Sequence, residues 1–201
     1  MSNKGKKSFE GLLVVLSAPS GCGKTSIVER LLKRHQDWAR SISATTRKPR
    51  VDEKDSQDYF FLSREAFEQK VRDGEMLEHA EIYGNLYGTP CDFVRDQVAS
   101  GKAVIMTIDV QGTKQIMESW GKGNPLLSIF ILPPSVKVLR ERLTGRHTET
   151  PEEIEKRIGI AQDEIKEAKL YDHTVINLNL DQAVLDVEEI ILNVTKQRRT
   201  K

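Results

Sequence analysis

From Ser17 to Ser26 the chain reads S-A-P-S-G-C-G-K-T-S. These residue types suit a chain of phosphates. Gly21 and Gly23 let successive backbone N–H groups turn toward one anion, the Lys24 ammonium reaches its oxygens, and the Thr25 hydroxyl is a hard ligand for the magnesium that travels with a nucleoside triphosphate. The pattern G-x-x-x-x-G-K-[ST] carries Ala18 at its first position. Because Pro19 pushes the preceding residue toward extended, negative-φ backbone, that position does not require glycine. The loop as a whole, Ala18, Pro19, Ser20, Gly21, Cys22, Gly23, Lys24 and Thr25, is the candidate triphosphate site. Cys22 sits where a helix N-terminus draws a thiol pKa down, though the plainer reading is a small neutral loop residue.

A second set of phosphate-binding types follows in S-I-S-A-T-T-R-K-P-R. Arg47 and Arg50 lie at the end of an apolar strand, on a segment that Pro49 keeps out of helix. Guanidinium forks match phosphate oxygens in pairs, and the Tyr59 and Tyr87 hydroxyls can add donors. Farther on, A-V-I-M-T-I-D closes a buried strand with Asp109. An acid there suits a Walker-B-like partner of a magnesium ion.

These side chains must be positioned by a framework. With 201 residues, 38% of them hydrophobic, the chain can build one compact α/β domain. Thirty-one basic residues against 30 acidic ones leave a net charge of +1, which provides no field for a nucleic-acid backbone or an anionic membrane. The apolar run from Leu12 to Leu16 is too short for a signal core or a membrane span. Cys22 and Cys91 allow one bridge at most, and His35, His79, His147 and His173 lack metal-ligand spacing with them, excluding a disulfide scaffold and a zinc module. Residues 1–10 and 197–201 read as basic, solvated tails.

Short apolar runs alternate with amphipathic stretches, predicting a mostly parallel sheet flanked by helices. The expected central strands are Leu12–Leu16, Ser41–Thr45, Ala103–Asp109, Leu127–Leu132 and Thr174–Leu178. Ser135 caps a helix running to Arg146, and Thr150 with Glu153 and Pro151 forms a capping box for the next, with Ile154, Ile158 and Ile165 on one face. Strands at Asp58–Leu62 and Leu77–Ile82, a helix begun at Ser63 and glycine-rich turns over Tyr83–Gly88 interrupt the alternation. An inserted lid or substrate-binding subdomain accounts for them.

The motifs A-P-S-G-C-G-K-T, S-A-T-T-R-K-P-R, D-Y-F-F, E-M-L-E-H-A, Y-G-N-L-Y-G-T, I-D-V-Q-G, P-P-S and G-R-H-T-E-T, in this order from about Leu12 to Ile191, resemble those of bacterial-type guanylate kinases in the nucleoside monophosphate kinase family. The resemblance implies a P-loop NTPase fold over 11–196, with core segments 11–40 and 98–196. It also implies a small α+β NMP-binding insertion at about 41–97 and a helical lid at about 140–160. It implies transfer of the γ-phosphoryl group of ATP to GMP, giving ADP and GDP, with Mg2+, in a cytoplasmic monomer or homodimer.

Residue by residue, the family pattern gives the GMP phosphate to Arg47, Arg50, Tyr59 and Tyr87, and the guanine to Ser43, Glu78, Thr89 and Asp109. One carboxylate at Glu78 can accept guanine N1–H and N2–H together; adenine has no N1–H. Arg142 and Arg146 match lid arginines over the ATP phosphates and join Lys24 and Arg47 as the catalytic set, with Arg157 a further candidate. Asn177 matches an adenine-proximal position. Thr107 stands where the family often has an acid, His147 where it commonly has glycine, and Leu178 and Asn179 where acids commonly follow Asn177. Two rivals remain at this stage. One is another nucleoside monophosphate kinase. The other is a non-catalytic, peptide-binding module of guanylate-kinase shape, which typically lacks a working P-loop.

Overall fold

A strand buried on both faces reads as a nearly continuous apolar run, and LLVVLS at Leu12–Ser17 (β1) is apolar through Leu16, with all six residues buried. In the computed structural model, which describes residues 10–82, 84–120, 123–145 and 150–200, β1 is the middle strand of a five-stranded, mostly parallel sheet. Its order is β2 (Ala39–Arg40), β7 (Ala103–Thr107), β1, β8 (Leu126–Leu132), β9 (His173–Ile176). β8 and β9 pair in parallel, Ile129 opposite His173 through Leu132 opposite Ile176. Within β8 the buried Ser128 is satisfied by Asp172, whose carboxylate accepts from both its backbone N (2.8 Å) and its hydroxyl (2.7 Å).

Contacts divide the chain into two compact units. One includes Val14–Gln36, Ile105–Val110 and the chain from Leu127 onward. In it α1 (Lys24–Arg34) packs on α7 (Leu180–Arg199), and α5 (Val136–Thr144) packs on α6 (Pro151–Lys166). The predicted capping box is present: the Thr150 hydroxyl accepts from Glu153 N, the Glu153 carboxylate accepts from Thr150 N, and Pro151 occupies the first turn. Ile154, Ile158 and Ala161 are the buried side chains of that helix.

The other unit includes Asp37–Val104 and Gln111–Leu126. Its four-stranded sheet runs β4 (Tyr59–Phe61), β3 (Ser43–Thr45), β6 (Asn85–Pro90), β5 (Met76–Ile82). β3 pairs with β4 in parallel and with β6 antiparallel, and β6 with β5 antiparallel. Between β4 and β5, α2 (Arg64–Arg72) is capped by the Ser63 hydroxyl, which accepts from Ala66 N at 3.1 Å. Its Phe67 is fully buried in a cluster with Ala44, Met76 and Leu86. α3 (Cys91–Ala99) and α4 (Val110–Ser119) follow.

Four sequence expectations are corrected. The strand at 41–45 belongs to the smaller sheet, while Ala39–Arg40 supplies the edge of the larger one. The expected turns over 83–88 include strand β6 from Asn85, where Gly88 is required because a Cβ there would stand 2.6 Å from Glu78 O and 3.1 Å from the Phe67 ring. β7 stops at Thr107, two residues before Asp109. The last strand is His173–Ile176, two residues short of Leu178. The helix begun after Ser135 ends at Thr144 with Gly145 as its C-cap; Arg146, to which it was expected to run, lies outside the described residues.

Candidate active site

The loop after β1 behaves as its glycines demand. Gly21 and Gly23 adopt φ of 89° and 82°, and Gly23 is the N-cap of α1, so the loop delivers its backbone to a helix N-terminus. Ala18, Pro19, Ser20, Gly21, Cys22, Gly23, Lys24 and Thr25 line a cavity of about 370 Å³ together with Ser26, Asp109 and Glu164. Within it the Lys24 ammonium donates to the Ile108 carbonyl at 3.3 Å. Burial draws the Lys24 pKa down, and the charges of Glu164 and Asp109 act against that shift. Burial pushes the Glu164 carboxyl up and the Cys22 thiol up to about 12, so Cys22 is a neutral loop residue.

Two groups brace this loop. Asn177 is buried just after β9; its amide donates to Cys22 O at 2.8 Å, and its backbone carbonyl accepts from Arg142 at 2.9 Å. A Cβ on Gly23 would stand 2.6 Å from Asn177 Nδ2, so the glycine gives the amide its place. From α6, Arg157 donates to the Ser20 hydroxyl at 2.8 Å. Arg146 lies outside the described residues, as does His147.

In the other unit, strand alternation and register put Ser43, Thr45, Tyr59, Phe61, Glu78, Tyr87 and Thr89 on one face of the four-stranded sheet. The opposite face carries Ala44, Leu86 and Gly88, against which α2 packs. On the face away from α2, Thr89 is fully buried and donates to Glu78 Oε1 at 2.7 Å. Ser43 Oγ lies 3.5 Å from Thr89 Oγ1. Beside this polar cluster, the Arg47 guanidinium lies 5.5 Å from the Tyr59 ring centre and 5.9 Å from that of Phe61. The Tyr59 and Tyr87 rings meet edge to face at 6.3 Å. Arg50 follows on the same loop with its side chain exposed.

Thus six of the sequence-predicted residues, Ser43, Arg47, Tyr59, Glu78, Tyr87 and Thr89, gather on one sheet face. Asp109 belongs to the other unit and lines the loop cavity with Lys24. Four neighbouring side chains carry no sequence motif. Glu53 grips Arg47 through two hydrogen bonds of 2.9 and 2.8 Å. Glu164 faces the loop cavity from α6. Gln115, on α4, bonds both the N and the O of His79 at 3.0 Å while Ser119 donates to Leu77 O at 2.6 Å, clamping β5 on either side of Glu78. The i, i+4 spacing of Gln115 and Ser119 on one helical face is the only signal of that clamp in the chain.

A family model for guanylate kinase matches residues 10–194. The chain belongs to the guanylate kinase family. A guanylate kinase of Clostridium perfringens is 44% identical over 192 residues, covering 96% of this chain and 88% of the relative. One from Synechocystis is 45% identical over 184 residues, covering 92% and 95%. A crystal structure of guanylate kinase from Anaplasma phagocytophilum superposes with a TM-score of 0.70 at 33% identity, covering 91% of this chain and 85% of that one. The span matched to the guanylate kinase family contains every candidate residue from Ala18 to Asn177.

Proposed function

We propose that this chain transfers the γ-phosphoryl group of ATP to GMP, giving ADP and GDP. The observation that carries the reading is one sheet face that bears both a buried carboxylate, on edge strand β5, and an arginine stacked over β4 at the other edge. Glu78, oriented by Thr89, suits the adjacent N–H donors of guanine, and Arg47 with Tyr59 and Tyr87 suits a monoester phosphate.

ATP would bind at the loop of residues 18–25, its phosphates meeting backbone N–H groups, the α1 N-terminus and Lys24. Burial of Lys24 strengthens its attraction for an incoming anion. Arg157 and Arg142 lie on or beside the loop's braces and would complete the charge around the transferred group, with Arg146 as a further lid arginine. Magnesium fits here: the Thr25 hydroxyl and Asp109 carboxylate are hard oxygen donors on the same cavity, and this ion needs only one or two protein oxygens beside phosphate and water. When bound, it neutralises charge on the phosphate oxygens. This placement favours the metal-side reading of Asp109 over a guanine contact. Asn177 braces the loop, and an adenine contact would be additional to that task.

Phosphoryl transfer makes little covalent demand on a protein; positioning and charge stabilisation dominate. Arg47 and Arg50 would offset the acceptor's charge so that one anion can attack another. An acceptor phosphate already ionised at neutral pH needs no general base. Cytoplasmic placement, where both nucleotides are at hand, fits this chemistry. Comparing ADP release with GMP and with AMP as acceptor tests the assignment. A strong preference for GMP is expected, and equal rates would overturn it. The intact Gly21, Gly23, Lys24 and Thr25 argue against a non-catalytic binding module.

A further inference from the structure

An arginine that must meet a phosphate needs its long side chain held, because a free guanidinium loses rotamer entropy when it is fixed. Arg47 is held on three sides. Its Nη1 donates to Lys48 O at 2.7 Å and Glu53 Oε2 at 2.9 Å, and its Nη2 donates to Glu53 Oε1 at 2.8 Å. Tyr59 and Phe61 flank the guanidinium. Both members of the ion pair are largely covered, at 18% and 17% side-chain exposure.

Glu53 does a second task with the same carboxylate. Its Oε2 accepts from the backbone N of Arg50 at 2.8 Å, while its own backbone N donates to Arg50 O at 3.1 Å. That reciprocal pair closes the turn after Pro49. One acidic side chain therefore fixes the guanidinium of Arg47 and the backbone of Arg50.

We infer that Glu53 is a positioning residue of the acceptor-phosphate site, locking Arg47 and Arg50 into one preorganised anion grip; this rests on the reading of Arg47 as a phosphate contact. The sign of its effect separates positioning from plain charge. Glu53 adds a negative charge beside the place where a phosphate binds, so electrostatics alone predicts tighter GMP binding once it is removed. Preorganisation predicts the reverse.

The test is steady-state kinetics on the full chain for the wild type, Glu53→Gln, Arg47→Ala and the double variant, with GMP and ATP varied separately. Glutamine keeps one acceptor but breaks the two-point fork. Glu53→Gln is expected to raise the GMP KM about tenfold or more, with the ATP KM within about twofold of wild type. In the Arg47→Ala background the same change should raise the GMP KM by a clearly smaller factor, because only the hold on Arg50 is left to lose, an unequal response that general destabilisation would not produce. An unchanged or lowered GMP KM, or an equal rise in the Arg47→Ala background, overturns the inference while leaving the proposed function intact. A wild type without GMP-dependent turnover, or Arg47→Ala with an unaltered GMP KM, overturns the underlying reading and the inference with it. Should Glu53→Gln fail to fold, Glu53→Asp, which keeps the charge and shortens the reach, carries the same test with the same expected sign.

Discussion

The Thr89 hydroxyl donates to Glu78 Oε1 at 2.7 Å across directly opposed positions of β6 and β5. A threonine has one hydroxyl proton, so the 3.5 Å contact between Ser43 and Thr89 has Ser43 as its donor. Ser43, Thr89 and Glu78 thus form a directed chain ending on the carboxylate, while Gln115 and Ser119 hold the backbone on both sides of it. Replacing Glu78 by Gln puts an amide donor where guanine also brings donors. The ratio of kcat/KM for GMP over AMP should fall by at least about 100-fold. Parallel kinetics with both acceptors checks this.

Gly23 and Asn177 make a second tight pair. An alanine at position 23 must adopt φ near 82° and meets Asn177 Nδ2 at 2.6 Å, and that amide cannot retreat without releasing Cys22 O. Gly23→Ala should lose about 1–3 kcal/mol of stability. It should also raise the ATP KM far more than the GMP KM. Denaturant unfolding and two-substrate kinetics measure the two effects.

Both cysteines are buried, and burial raises the pKa of each, Cys22 to about 12. The thiolate is the reactive form. In the native protein near neutral pH neither should react with a thiol reagent over minutes, and both should react promptly after unfolding. Rapid native labelling of Cys22 would contradict the description of the loop.

The Arg47 fork, with the Arg50 N–H, holds Glu53 from its ordinary 4.5 down to about 2. A carboxyl with a depressed folded pKa binds fewer protons in the folded than in the unfolded chain. Its contribution to stability is therefore complete above about 4.5 and is lost as pH falls toward about 2. The stability difference between wild type and Glu53→Gln should accordingly be full at neutral pH and shrink steadily through that acid window, as urea unfolding at a series of pH values would register.

Local sequence rules reached some of this architecture directly. Pro151, Thr150 and Glu153 specify their helix start through bonds within one turn, and strand, glycine loop and helix specify the phosphate cradle. Long-range pairing was less visible. An apolar strand at Ser43–Thr45 carries the same alternation whichever sheet receives it, so its membership in the smaller one was hidden. Gly84 and Gly88 suggested turns, yet Gly88 lies within a strand because the Phe67 ring occupies the space a side chain would need. In the sequence nothing distinguishes Glu53 from other loop acids or Glu164 from other helix charges. Their roles depend on partners at Arg47 and Lys24 whose approach is a product of the folded chain.

Direct handover of a phosphoryl group between nucleotides can be followed with ATP labelled in its γ-phosphate during a single turnover with GMP and magnesium. The label is expected in GDP. Label released as inorganic phosphate at the same rate with or without GMP would contradict it.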